Sequence, residues 1–371
     1  MTILPPEAVQ REMRYPKRDL WIIVGVAALL RLLMLPWNQG EYTDGVLQAT
    51  TFADPHNGGA FWPPLYASTI YPLKFILGYM WSGRLVSAVA STLAIIPIYR
   101  MTRRAFGTRA ALYAGIFYLT APVANRWGVR LMTEATFSLF FFWACERLCA
   151  ASRESDRKAA HSAFLWACVA TVLASLSRYQ GLMLLPPVAA CAWLVRCQHG
   201  RWPVVALLPL LGLLLLPAWS IGVGFMHASQ FESRSLGAGW KGSLYVLSLN
   251  AEAFAAFTPY FLTYPVFLAA LFGMFWTRQR RGPFFGWLML YVAVVLLGAQ
   301  GLFASFQERY FLPLHGFFWV LAGSGMYAIQ ERWGRHGRWI KQRVFPYLVI
   351  GTYAWSAAWS LAVLWGHHEA F

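Results

Sequence analysis

Apolar residues run through this chain in blocks of roughly 17 to 24, the length a helix needs to cross about 30 Å of hydrocarbon. Eleven blocks can be drawn, at 20–36, 82–99, 108–125, 132–147, 160–177, 181–196, 203–224, 254–276, 284–303, 311–329 and 344–365. In lipid a helix satisfies its own backbone groups, so such blocks predict helical spans. The expected fold is an all-α polytopic membrane protein of about eleven transmembrane helices, with juxtamembrane helices in a first outer loop at 37–81. The whole of 1–371 is expected to form one transmembrane domain, with 1–19 as a cytoplasmic N-terminal segment and no soluble C-terminal domain. The first block is too long for a signal-peptide core and no small-residue cleavage site follows it, so it is read as an uncleaved span.

Composition agrees: 58% of residues are hydrophobic, 12% are charged, and 19 of 371 are Trp. The net charge of +16 changes the picture only through its placement. Basic residues are dispersed between apolar blocks and no nucleic-acid motif accompanies them, which excludes nucleic acid as a partner. With the N-terminus inside, 22 of the 31 Lys and Arg fall on inner segments and eight on outer ones, with Arg31 within the first span. The positive-inside rule therefore places the N-terminus in the cytoplasm. Cys145, Cys149, Cys168, Cys191 and Cys197 lie in or beside apolar blocks without zinc-like spacing and are read as packing. No Walker loop, haem-attachment or zinc-protease signature is present.

Candidate chemistry gathers on the outer side. The stretch "QGEYTDGVLQATTFADPHNGGAFWPPLY", residues 39–66, holds Glu41, Asp44 and Asp54 and no Lys or Arg. A helix starting near Thr43 is expected to lie along the interface, with Asp44 in its first turn and Gly45 permitting close backbone approach. Asp54, before Pro55 in a Gly-rich turn, reads as turn chemistry. Glu134, Arg178, Glu308 and Arg309 stand at the outer ends of spans. A charge at a span centre costs roughly 2.5–3.5 kcal/mol, so such groups usually face a partner or a cavity; four of them beside an acidic loop point to one shared polar cavity.

Those residues carry a resemblance. The acidic loop opening into a helix is followed by "PPLY", then "GRLVSAVASTLAIIPIYRMTRRAFGTRAALYAGIFYLTAP", "RLMTE", "SRYQG" and "ERYFLPL". Over about residues 20 to 330 this order resembles the bacterial branch of the C-type (GT-C) integral-membrane glycosyltransferases. In pattern it is similar to the protein O-mannosyltransferases and lipid A aminoarabinose transferases. The resemblance implies a sugar transferred from a polyprenyl-phosphate donor to a lipid, glycan or protein acceptor at the outer face of a bacterial inner membrane. By position Asp44 matches the family's catalytic Asp. The family's second acid often follows closely, whereas here Gly45 follows and Glu41 precedes by three, so either carboxylate is left as the base.

The chemistry needs the same residue types: a base for the acceptor, positive charge on the departing phosphate, and aromatic surface for sugar and lipid. Arg178, Arg309, Arg130 and Lys241 are the candidates for the phosphate, Arg offering bidentate contacts. Glu134, Tyr179, Glu308 and Tyr310 are expected to line the cavity. No cofactor is required; a divalent cation, Mg or Mn, bridging Glu41 and Asp44 is compatible with their spacing. The main rival is a polytopic lipid or sugar transporter or flippase without transferase activity, which would usually carry internal repeats; none is evident.

Overall fold

A computed structural model describes residues 17–37, 41, 43–53, 62–222, 239–277, 282–301, 308–334 and 344–366, with Lys241 and Glu308 among the helical positions described by backbone alone. The architecture is helical, with no strand among the described residues. The helices are α1 Lys17–Met34, α2 Thr43–Thr50, α3 Leu65–Leu93, α4 Ile95–Phe106, α5 Thr108–Thr120, α6 Pro122–Gly128, α7 Glu134–Ala151 and α8 Arg157–Ser177, followed by α9 Leu185–His199, α10 Val204–Leu207, α11 Leu215–Gly222, α12 Gly239–Leu262, α13 Tyr264–Trp276, α14 Pro283–Gly301, α15 Leu312–Gly334 and α16 Phe345–Gly366. Short 3₁₀ turns at Tyr179–Leu184 and Glu308–Phe311 lead into α9 and α15.

Among the described residues the apolar blocks fall largely on helix, but not every block is one straight helix. The block at 254–276 breaks at Thr263, whose φ of 70° is rare for a β-branched residue. The segments Leu247–Leu262 and Tyr264–Trp276 meet there at 109°. Among the described residues four stretches are long and apolar enough to cross a membrane, Leu65–Phe106, Arg157–Ser177, Tyr179–His199 and Arg309–Trp333, or five if that bent pair is one span. The juxtamembrane stretch is also more regular than expected: α3 starts at Leu65 and continues past a kink at Gly78, where φ is 72°. Its first half exposes Tyr71, Phe75 and Ile76, as suits contact with lipid rather than water.

Small residues set the packing. A Cβ on Gly325 of α15 would lie 1.9 Å from the Ala269 carbonyl oxygen of α13, and one on Gly273 would lie 2.0 Å from the Leu321 oxygen. These two helices therefore pack backbone against backbone, which maximises dispersion contact where no hydrophobic drive exists between lipid-embedded helices. Around α7, α8 and α15 a single apolar core includes Phe141, Phe142, Phe164 and Trp319, with the Tyr118 and Trp319 rings edge to face at 4.9 Å. Cys145, Cys149, Cys168 and Cys191 are buried there as packing, and Cys197 is exposed.

Candidate functional site

The site is built around an irregular stretch, 129–133, between α6 and α7. Backbone outside a helix leaves amides that need partners, and here α2 and Glu41, two residues ahead of it, supply them. Glu41 Oε2 accepts the Leu131 N–H at 3.0 Å and Gln48 Oε1 accepts the Thr133 N–H at 3.0 Å. The Met132 carbonyl accepts the Ser87 hydroxyl at 3.1 Å. The fit depends on Gly45, because a Cβ there would sit 1.9 Å from the Leu131 carbonyl oxygen. Gly45→Ala is expected to push α2 away from this stretch and cost about 1–3 kcal/mol, measured as a lower midpoint of thermal unfolding in detergent.

Four charged side chains join at this seam. Arg309, in the 3₁₀ turn before α15, donates from Nη2 to Asp44 Oδ2 at 2.9 Å, and its Nε lies 3.6 Å from Glu134 Oε1. Glu134, the first residue of α7, accepts from Arg178 Nη1 at 2.5 Å, and Arg178 also donates to Thr133 Oγ1 at 3.2 Å. Arg178, Arg309 and Glu134 are all buried, but the Asp44 side chain is 42% exposed. The cluster thus presents one accessible carboxylate backed by two buried guanidiniums.

Aromatic rings frame those cations. The Tyr310 ring lies 5.3 Å from the Arg178 guanidinium and 5.1 Å from that of Arg309, and its hydroxyl accepts from Arg309 at 3.3 Å. The Trp127 indole lies within 5.6 Å of three guanidiniums, those of Arg126, Arg130 and Arg309. Such contacts stabilise desolvated cations by about 0.5–2 kcal/mol each. On the other side Trp62 lies 5.7 Å from Arg178. The Trp62 carbonyl accepts the Trp219 indole N–H at 3.1 Å, and from Trp219 edge-to-face contacts continue through Phe52 at 5.4 Å and Tyr71 at 5.8 Å to Phe75 at 5.7 Å. An aromatic track thus connects the exposed face of α3 with a buried guanidinium.

The folded chain resembles solved membrane proteins. It matches ArnT from Cupriavidus metallidurans bound to undecaprenyl phosphate with a TM-score of 0.62 at 17% identity, over 85% of this chain and 61% of that one. The apo state of ArnT gives 0.62 at 15% identity over 94% and 76%. Archaeal oligosaccharyltransferase AglB from Archaeoglobus fulgidus, in complex with an inhibitory peptide and a dolichol-phosphate, gives 0.58 at 13% identity over 95% and 56%. The chain has a GT-C-like fold. Residues 63–221 also match the family model described as dolichyl-phosphate-mannose-protein mannosyltransferase. No curated protein matches the chain in sequence. The chain spans less than two thirds of the length of the undecaprenyl-phosphate-bound relative.

Within this GT-C-like fold the family-matched stretch contributes Glu134 and Arg178, while Asp44 and Arg309 come from outside it. Of the residues expected in the cavity, Asp44, Glu134, Arg178, Arg309 and Tyr310 converge. Arg130 is buried beside Trp127, and Glu134 at the start of α7 is engaged by Arg178 and Arg309. Tyr179 packs against the apolar cluster of Val172, Leu176 and Leu216. The side chains of Lys241 and Glu308, and all of Asp54, lie outside the described residues.

Glu41 has a different place from the one its spacing suggested. Its Oε1 accepts from Arg84 Nε at 2.5 Å, and its side chain is 3% exposed. Burial pushes its carboxyl above the ordinary glutamate range, against the opposing pull of Arg84, the Leu131 N–H and Arg130. Both oxygens are committed, so Glu41 holds the seam together. Each acid is thus claimed by a different arginine, and among the described residues no three of His, Cys, Asp and Glu gather at one point. That donor set does not fit a cation bridging Glu41 and Asp44. Sequence reading missed Arg84, Gln48 and Trp127; the one signal for Trp127 is Arg130, three residues on and so on the same face were the helix to continue.

Proposed function

We propose that this chain is a glycosyltransferase that moves a sugar from a polyprenyl-phosphate donor to an acceptor at the outer face of a bacterial inner membrane, with Asp44 as general base. The observation that carries the reading is the exposed Asp44 carboxylate held by Arg309, which also reaches buried Glu134, itself engaged by Arg178. Asp44 takes the proton of the acceptor hydroxyl or amine as that atom bonds to the anomeric carbon. The bond from that carbon to the phosphate oxygen breaks on the opposite face, so configuration inverts. The phosphate keeps the electron pair and stays on the lipid.

Charge supports this assignment. Arg178 and Arg309 beside Tyr310, with Arg126 and Arg130 around Trp127, gather guanidiniums of the kind that stabilise a leaving phosphate. No cation is needed in this reading. The donor's isoprenoid chain would lie along the track from Phe75 to Trp219, whose aromatic rings suit an unsaturated hydrocarbon. ArnT bound to undecaprenyl phosphate and AglB with a dolichol-phosphate are compatible precedents for a lipid phosphate on this fold.

The test is incubation of the purified chain with polyprenyl-phosphate-linked sugars and a membrane extract as acceptor source. Release of polyprenyl phosphate coupled to sugar transfer is expected; transport of the donor across vesicles without release would sink the reading. The track makes a separate prediction. Phe52→Ala is expected to raise KM for a long-chain donor by roughly 5- to 30-fold, one or two kcal/mol, and to leave KM for a short-chain donor unchanged. Equal effects on both donors would remove the track from the tail path.

A further inference from the structure

At the end of α7 remote from the site, a cavity of 410 Å³ opens between α7, α9 and α14, lined by Arg153, Ala190, Trp193, Leu194, Phe284 and Trp287 among others. Its volume lies in the range of about 300–1,000 Å³ typical of small-molecule sites. α7 has 18 residues, which at 1.5 Å each separate Glu134 from this cavity by about 27 Å, close to the thickness of the hydrocarbon layer. The cavity therefore belongs to the opposite membrane face from the carboxylate cluster, and nothing in the proposed transfer uses it.

Its chemistry is divided. Trp193, Leu194, Phe284 and Trp287 make apolar walls, and both indoles reach the surface, Trp193 being 56% and Trp287 40% exposed. Arg153 supplies the charge, and its position is built. The guanidinium lies on the chain at Gly282, where φ is 72° and a Cβ would come within 2.7 Å of Nη2; Nη1 lies 3.4 Å from the Arg104 carbonyl oxygen. Close by, the Arg196 guanidinium lies over the rings of Trp193 and Trp202 at 5.9 and 4.8 Å. Glu146, at this end of α7, is engaged by Arg104 and Arg147, and the guanidiniums of Arg153 and Arg196 stand beside the apolar walls.

We propose that this cavity binds an anionic glycerophospholipid of the leaflet opposite the proposed active face, with one acyl chain between Trp193 and Trp287 and its phosphate on Arg153. A soluble anion gains nothing from the apolar walls, and a lipid without net charge gains little from the guanidinium. Basic pockets between helices on the cytoplasmic side are recognised binding places for anionic headgroups, and the distribution of Lys and Arg along the chain puts this end inside. The bound lipid would clamp α9 and α14 to the end of α7.

The experiment is thermal unfolding of the full chain in detergent with added phosphatidylglycerol, phosphatidylcholine or glycerol 3-phosphate. Phosphatidylglycerol is expected to raise the midpoint by roughly 2–4 °C, as ligand binding to the folded state requires, and the other two are expected to have little effect. Arg153→Gln removes the charge, and Ala190→Phe fills the cavity while leaving the guanidinium; each should abolish the rise. An equal rise with phosphatidylcholine, an equal rise with glycerol 3-phosphate, or a rise surviving in both variants would overturn the proposal. Native mass spectrometry of the wild-type chain supplies a measurement that needs no variant: retention of phosphatidylglycerol over phosphatidylcholine is expected, and no preference would also overturn it.

Discussion

Asp44→Asn is expected to lower sugar transfer by about 100- to 10,000-fold, the range by which a positioned general base contributes, while donor binding persists. The substitution keeps the shape of the side chain and removes its capacity to take a proton. Arg309 keeps Glu134 as a counter-charge, so neither buried guanidinium is left without a carboxylate beside it. Transfer of a labelled sugar under single-turnover conditions measures the chemical step, and a binding assay with the same donor separates it from affinity. Full turnover by Asp44→Asn would remove Asp44 from the reaction. Glu41→Gln supplies the contrast: with its carboxylate on Arg84 and the Leu131 N–H, it should lose stability before it loses a chemical step.

The largest effect on stability is expected from Glu134→Ala. Glu134 is 2% exposed and is the carboxylate shared by Arg178 at 2.5 Å and Arg309 at 3.6 Å. Removing it leaves two buried guanidiniums facing one another with Asp44 as their remaining counter-charge at this seam. Breaking a buried pair from one side typically costs about 3–5 kcal/mol, so a marked fall in the thermal midpoint should accompany loss of function. Adding Arg178→Met, which removes one of the two cations and restores apolar volume, should recover part of the midpoint. An unchanged midpoint in the single variant would mean that the cluster is hydrated and contributes little to the fold.

Helical architecture and the members of the cluster were legible from the sequence for one physical reason: in an apolar chain each charge at a span end carries a cost, so the few that persist mark a use. Asp44, Glu134, Arg178 and Arg309 stand out on that ground, and they do converge. Which cation faces which anion was not legible, because pairings such as Asp44 with Arg309 span 265 residues and are fixed by helix packing. Glu41 resembled a second catalytic acid because spacing carries no information about Arg84, whose role emerges only when α3 lies beside α2. Tyr179 was placed in the cavity for its neighbour Arg178, yet the 3₁₀ turn it begins carries its ring into the apolar cluster of Leu176 and Leu216. The break at Thr263 was hidden for the opposite reason: residues on both sides of it are apolar, and hydropathy does not register direction.

The distribution of the cluster along the chain also bears on biogenesis. During synthesis Asp44 leaves the ribosome well before α7, Glu134 and Arg178 follow, and Arg309 comes last, in the turn before α15. Until α15 docks, Asp44 lacks the counter-charge that fixes it and Glu134 has only one of its two guanidinium partners at this seam. On the proposed reading, a partly inserted chain would carry Asp44 without the guanidinium that fixes it, and sugar transfer would begin only with the docking of the penultimate described helix.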